Sequence, residues 1–189
     1  MQQPDSELLR RGAAGDESAF AELYDRHQAG VFRFALFLSG STTTAEEITQ
    51  EVFLALIRDA GKYDPARGPL AAYLCGVARN LLRRSQARDR GMVALKKESD
   101  WAADVDVAGD LAAEQQVESL REAVLALPLR YREVVTLCHI EGLNYRQAAE
   151  ILECSEGTVC SRLSRARALL IKKMSVGKLK GCETCIKTT

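Results

Sequence analysis

At 189 residues the chain can form one large domain or two small ones, and with 4 Pro and apolar residues recurring at helical spacing it reads as all-α. No apolar run is long enough to span a bilayer, and residues 1–11 do not form a signal peptide, so a cytoplasmic chain without membrane insertion is expected. The formal net charge of +0 averages over two basic blocks and an acidic one: five Arg against one Asp from Arg79 to Arg90, seven Asp or Glu against two Lys from Lys96 to Glu118, and seven Lys or Arg against one Glu from Ser155 to Lys180. Local charge, rather than the average, sets affinity for phosphate.

In chain order, residues 4–15 predict a first short helix. Residues 16–39 predict a longer one, with Phe20, Leu23, Tyr24, Val31, Phe34 and Phe37 as its core face. Residues 40–43 form a turn. Thr44 with Glu47 reads as a T-x-x-E capping box opening a third helix over 45–59. Gly and Pro mark 61–68 as a loop, and Pro69 suits the first turn of a fourth helix running to about 90. Residues 91–109 are acidic and weakly periodic and read as a flexible linker. A second helical domain begins near 110, with a helix over 111–127 that stops before Pro128 and another over 129–141. Gly142 closes the latter.

Residues 144–170 carry the sharpest pattern. Asn144 with Gln147 is a capping-box start. Ala148, Ala149, Ile151 and Leu152 give the first of two helices an apolar, small-residue face. Ser155 is the predicted N-cap of the second, on which Val159 and Leu163 share the buried side. The opposite side presents Thr158, Ser161, Arg162 and Arg165, side-chain types that reach phosphates and base edges, and Arg167, Lys172 and Lys173 extend the charge. Two short helices, a tight turn and a one-sided basic second helix are the pattern of a helix-turn-helix that enters the major groove of duplex DNA.

The whole arrangement resembles the extracytoplasmic-function (ECF) group of bacterial sigma-70 RNA polymerase sigma factors. The segment Phe20-Ala21-Glu22-Leu23-Tyr24 looks like the opening of the family's region 2. Residues 45–53 (AEEITQEVF) look like its polymerase-binding helix, and residues 73–80 (YLCGVARN) are similar to its promoter-melting helix. Leu127-Pro128 with Arg132, and Gly157-Thr158-Val159 with Ser161-Arg162 and Arg165-Ala166-Arg167, match region 4. The order and spacing of these motifs, over residues 6–173, carry the resemblance.

The resemblance implies region 2 over residues 1–90, a linker over 91–109, region 4 over 110–174 and a cysteine-containing tail over 175–189. It implies that Glu46, Glu47, Gln50, Glu51 and Leu54 dock on core RNA polymerase, beside a buried stripe of Ile48, Val52 and Leu56, with Phe53 in the core. Promoter DNA would be held at its −10 element by Tyr63, Tyr73, Arg79, Asn80, Arg83, Arg84 and Arg88. Asn80 would sit beside an unstacked base, with the arginines along the strand. Tyr73 stands where the family commonly has Trp. At the −35 element Ser161, Ser164 and Arg165 would face base edges, and Arg146, Thr158, Arg162 and Arg167 would face phosphates. Cys160 lies on the same side, where the family often has Lys or Arg, and Glu153 replaces a Gly often found in the turn. An anti-sigma factor is an implied partner. The uncomplexed chain would have its two domains packed together or clamped by that factor.

Six Cys in a cytoplasmic chain are expected as thiols. Cys75, Cys138 and Cys154 lie in apolar helical contexts, and Cys160 should be exposed. Cys182 and Cys185 form a C-x-x-C, two of the four ligands a structural zinc site needs. No cofactor is required by this reading; a metal or redox site at the C-x-x-C and an inert tail both stay open. A stand-alone helix-turn-helix regulator is the alternative function, but it leaves residues 45–90 without a role. An enzyme is not expected: His27 and His139 are isolated, and no nucleophile or phosphate-loop constellation appears.

Overall fold

The computed structural model describes residues 3–92 and 119–183, with side chains described over 3–88 and 119–173. Among them all regular structure is helical. Helices α1 (Asp5–Ala13), α2 (Glu17–Ser39), α3 (Thr42–Arg58) and α4 (Leu70–Met92) form the N-terminal half. The C-terminal half holds α5, described over 119–125, α6 (Leu129–Val135), a π-helical turn (Thr136–Ile140), α7 (Tyr145–Leu152) and α8 (Glu156–Glu183).

The N-terminal bundle closes around Leu23, Phe34, Val52, Leu56, Leu70 and Leu74, each less than 2% exposed. Full burial of one such side chain contributes about 1.5–3 kcal/mol relative to exposure. Phe20 and Tyr24, half-buried on α2, pack against Phe53 of α3 with ring centroids 6.3 and 4.6 Å away. The corner between α1 and α2 is set by Asp16, which accepts from the Ala19 amide at 3.1 Å and from Arg11 at 2.6 Å. Ser18, the Ala19 amide and Arg11 together hold its carboxyl well below the usual carboxylate range. Asp5 ties α1 along α2 through Arg26 (3.0 Å) and His27 (2.8 Å).

Three local details differ from the sequence expectation. Helix α3 starts at Thr42, because Ser41 accepts from the Thr44 amide at 3.2 Å and displaces the expected T-x-x-E start. Pro69 precedes α4, its carbonyl accepting from Ala72 and Tyr73. The segment 129–141 is broken: after α6 the backbone widens, and the Glu141 amide reaches the Thr136 carbonyl five residues back at 2.9 Å. The Thr136 hydroxyl donates to the Arg132 carbonyl at 2.9 Å just before that break. The expected linker 91–109 lies outside the described residues from 93 onward.

Helix α7 begins as expected, with Asn144 accepting from the Gln147 amide at 2.9 Å and Gln147 accepting from the Asn144 amide at 3.0 Å. It ends in a Schellman motif: the amides of Cys154 and Glu153 bond to the carbonyls of Ala149 (3.0 Å) and Glu150 (3.3 Å). Glu153 occupies the left-handed position, φ 55°, the only non-glycine to do so among the described residues. A side chain there costs energy that glycine avoids.

The two halves are in contact. Helix α4 packs on α7, and α2 packs on α6 and the π-helical turn, so buried residues of both halves form one continuous cluster. Replacing Glu153 by Gly is expected to stabilise the chain by about 1 kcal/mol, raising the midpoint of thermal unfolding by circular dichroism. An unchanged or lower midpoint would show that the left-handed turn is not strained.

Candidate nucleic-acid interface

Helix α8 is presented by burial of one side only. Val159, Leu163 and Ala166 are at most 1% exposed and face the rest of the C-terminal half. Ser161, Ser164 and Arg165 lie exposed on the opposite side, while Thr158 and Arg162 are half-buried on one flank, and Cys160 and Arg167 are exposed on the other. Ser155 caps the helix, accepting from the Thr158 amide at 3.2 Å, and its hydroxyl also meets that of Thr158 at 2.9 Å. Thr158 is thus engaged in the cap. Arg167 bonds to His139 at 3.2 Å, and Arg146 pairs with Glu150 at 3.4 Å on α7. The expected −35 residues of α8 therefore lie around its unburied surface, opposite the core and on both flanks, and Arg146 lies exposed on α7.

The second cluster lies at the N-terminal half of α4. The loop after α3 folds as two 3-10 turns, Ala60–Lys62 and Pro65–Arg67. Tyr63 donates to the Gly68 carbonyl at 3.2 Å and packs on Tyr73, ring centroids 5.6 Å apart. Both tyrosines, with Asn80, line a cavity of about 270 Å³. Burial pushes both phenols up from their ordinary values, so they stay neutral. Arg83, Arg84 and Arg88 follow as an exposed track.

Arg79 does not join that track. It is 8% exposed and faces the C-terminal half, donating to Glu133 of α6 at 2.7 Å and to the Ile151 carbonyl of α7 at 2.9 Å. Two more contacts cross the same boundary. Arg132 donates to the carbonyls of Phe37 and Leu38 at the end of α2 (3.4 and 3.3 Å) and to those of Leu125 and Leu127. Arg33 of α2 pairs with Glu141 at 3.3 Å, and a Cβ at Gly30 would lie 2.9 Å from that carboxylate. Burial pushes the Glu141 carboxyl up, and Arg33 opposes the shift. Of these residues only Arg79 had been singled out as part of a site. The legible signal was a charge inside an apolar stripe, since Glu133 lies between Tyr131 and Val134 and Arg79 follows Cys75 and Ala78.

On α3, Glu46, Glu47, Gln50, Glu51 and Leu54 form one exposed strip, with Leu54 67% exposed. Ile48, Val52, Phe53 and Leu56 are buried beneath it.

Cys75 is buried, Cys138 and Cys154 are half-buried and Cys160 is exposed, all as thiols. Cys185 and the side chain of Cys182 lie outside the described residues. Among the described residues no cluster of His, Cys, Asp or Glu is arranged to hold a metal ion, and no helix is long and apolar enough to cross a membrane.

Comparison with known proteins bears on both clusters. Residues 23–91 match the family model of sigma-70 region 2, and residues 117–170 match that of sigma-70 region 4. The ECF RNA polymerase sigma factor SigK of Mycobacterium tuberculosis is 31% identical over 168 residues, covering 84% of this chain and 87% of SigK. The chain belongs to the ECF group of sigma-70 sigma factors. As a sigma factor it is a dissociable transcription-initiation subunit of RNA polymerase. The region 2 match removes the stand-alone regulator reading, which had no use for residues 45–90. SigE of Mycolicibacterium smegmatis is 34% identical over 166 residues, 84% of this chain and 63% of SigE. Among solved structures, the sigma factor RpoE in complex with the anti-sigma factor NepR from Bartonella quintana is similar at a TM-score of 0.63 and 25% identity, over 83% of this chain and 97% of that one. CnrH, solved with the cytosolic domain of CnrY, shares the fold at a TM-score of 0.67 and 24% identity, over 91% and 97% of the two chains.

Burial pushes the Cys75 thiol of this sigma factor up to about 12, which leaves almost no thiolate at neutral pH. Iodoacetamide is therefore expected to alkylate Cys160 first among the four described thiols, and Cys75 only after unfolding. Peptide mass spectrometry reads the order; equal rates at Cys75 and Cys160 would contradict the buried placement.

Proposed function

We propose that this cytoplasmic, non-enzymatic sigma factor engages core RNA polymerase and promoter DNA through three separate surfaces. The α3 strip Glu46, Glu47, Gln50, Glu51 and Leu54 docks on core RNA polymerase, where an apolar Leu54 framed by carboxylates suits a basic, partly apolar helical surface. The cavity at Asn80, Tyr63 and Tyr73 receives an unstacked base of the −10 element, and Arg83, Arg84 and Arg88 run along its strand. The α8 face places Ser161, Ser164 and Arg165 at −35 base edges, with Arg146, Arg162 and Arg167 at phosphates. Thr158 contributes by capping α8, and Cys160 leaves its position without a cationic contact. An anti-sigma factor is the natural antagonist, as RpoE is held by NepR in the similar complex.

The observation that carries this reading is the cavity itself. It opens on Asn80, a side chain with both donor and acceptor, and it stands at the head of an exposed arginine track. Strand separation in this scheme uses binding energy alone, so no cofactor is required.

The test is run-off transcription by purified protein with core RNA polymerase on a randomised-promoter library. Specific transcripts that share two sequence elements are expected. Leu54→Asp should abolish both core binding and transcripts. Arg165→Ala should cost about 1–3 kcal/mol of discrimination at one −35 base pair. Arg84→Ala should instead weaken binding across sequences and lower the salt slope by roughly 0.7. No transcripts, despite sequence-specific duplex binding by the protein alone, would overturn the reading. Cys182→Ser combined with Cys185→Ser is expected to leave transcript yield unchanged with zinc, chelator or reductant; a metal-dependent change would give the C-x-x-C a regulatory role.

A further inference from the structure

Arg146 and Arg167, both assigned to phosphates, are held in different ways. Arg146 is drawn along α7 by Glu150, a carboxylate that neutralises it and that a phosphate would have to displace. Arg167 is held by a neutral group: its Nη2 lies 3.2 Å from Nε2 of His139. An arginine side chain carries N–H donors and no acceptor, so the imidazole nitrogen accepts and the ring hydrogen is on Nδ1. Most of the guanidinium donors remain available, and its charge is intact.

Both ends of this contact are anchored. His139 belongs to the π-helical turn, where Thr136 and Leu137 are fully buried and the Leu143 amide closes onto the Leu137 carbonyl at 3.0 Å. Widened turns of this kind recur at functional sites. Arg167 follows Ala166, which is buried against the rest of the C-terminal half. Two exposed side chains, 28 positions apart in sequence, thus meet from two fixed backbones. A long exposed side chain normally loses its rotamer freedom at the moment of binding, and a contact already made in the uncomplexed chain removes that cost. On the flank it shares with the uncharged Cys160, Arg167 carries positive charge, so a backbone contact on that side depends on where its guanidinium is held.

We infer that His139 is a positioning residue for the −35 contact: its imidazole holds the Arg167 guanidinium in place beside α8 without neutralising it, so that the remaining N–H donors meet a DNA phosphate already ordered. This rests on the assignment of the α8 face to duplex DNA. A carboxylate at position 139 would orient Arg167 equally well but cancel the charge that the phosphate needs. An apolar residue there would leave the charge and lose the orientation. A neutral acceptor supplies both.

The experiment measures binding of the full-length chain to a fluorescein-labelled, random-sequence duplex DNA pool by anisotropy over a series of salt concentrations. The variants are His139→Ala, His139→Gln, His139→Glu, Arg167→Ala, Arg162→Ala and the double variant His139→Ala/Arg167→Ala, each checked for parental helicity by circular dichroism. Arg167→Ala is expected to lower the salt slope by roughly 0.9, the loss of one phosphate contact. His139→Ala should weaken binding about fivefold at an unchanged slope, because the charge stays and only its ordering is lost. His139→Gln, whose amide oxygen accepts in place of Nε2, should restore parental affinity. His139→Glu should weaken binding further than His139→Ala and flatten the slope. In the Arg167→Ala background, His139→Ala should cost nothing more. Parental binding by His139→Ala, an equal loss in both backgrounds, no rescue by Gln, or a slope lowered by His139→Ala would each overturn the positioning role. Parental binding by Arg167→Ala beside a loss for Arg162→Ala would overturn this inference and leave the α8 face assigned to DNA. Parental binding by both would remove the α8 face assignment and the inference with it.

Discussion

A guanidinium withdrawn from water needs a carboxylate and further acceptors around it, and Arg79 finds all of them on the other half of the molecule. Leaving such a group buried alone would cost several kcal/mol, so the two halves either meet at this point or Arg79 returns to solvent. The rest of the arrangement depends on this condition. Helix α4 has its apolar stripe, Leu70, Leu74, Ala78 and Leu82, in the region 2 core, which fixes where Arg79 points. Helices α6 and α7 must then bring Glu133 and the Ile151 carbonyl to that point together.

The π-helical turn belongs to the same geometry. Between α6, which carries Arg132 and Glu133, and α7, which carries Ile151, the chain has to pass Glu141 over Gly30 to reach Arg33. One widened turn changes the phase of the helix at Thr136–Ile140, so that Glu133 and Glu141 both face region 2 although they are eight positions apart in sequence. A wide turn of this kind is less favourable than continuous α-helix and persists where surrounding packing holds it. Here the packing of α2 against this turn supplies the constraint.

The helix-turn-helix follows a separate logic, largely local. Caps at Asn144 and Ser155 start its two helices, small Ala148 and Ala149 allow close packing, and Val159, Leu163 and Ala166 decide which side of α8 is left outside. Its departure from the family pattern, Glu153 in a left-handed turn, keeps the Schellman hydrogen bonds while accepting backbone strain. This side chain reaches Arg79 across the domain boundary, so a position that is unfavourable for α7 alone gains a partner from the other domain.

The residues by themselves determined the helices, the capping box at Asn144, the loop over 61–68, the acidic strip on α3, the basic face of α8 and the family they jointly indicate. These are set by interactions within a few positions, and periodicity and caps report them directly. The start of α3 was misplaced because Ser41 and Thr44 are both plausible caps, and only the path of the preceding turn selects between them. Arg79 was read with Arg83, Arg84 and Arg88 because all four are arginines on one helix. The pairing with Glu133, 54 positions away, is invisible to spacing. The same holds for Arg132 on the α2 carbonyls and for α7 above the Asn80 cavity. Local patterns say which side of a helix is apolar; only the packing of distant helices decides which charge on that side finds a partner, and so which arginine is buried.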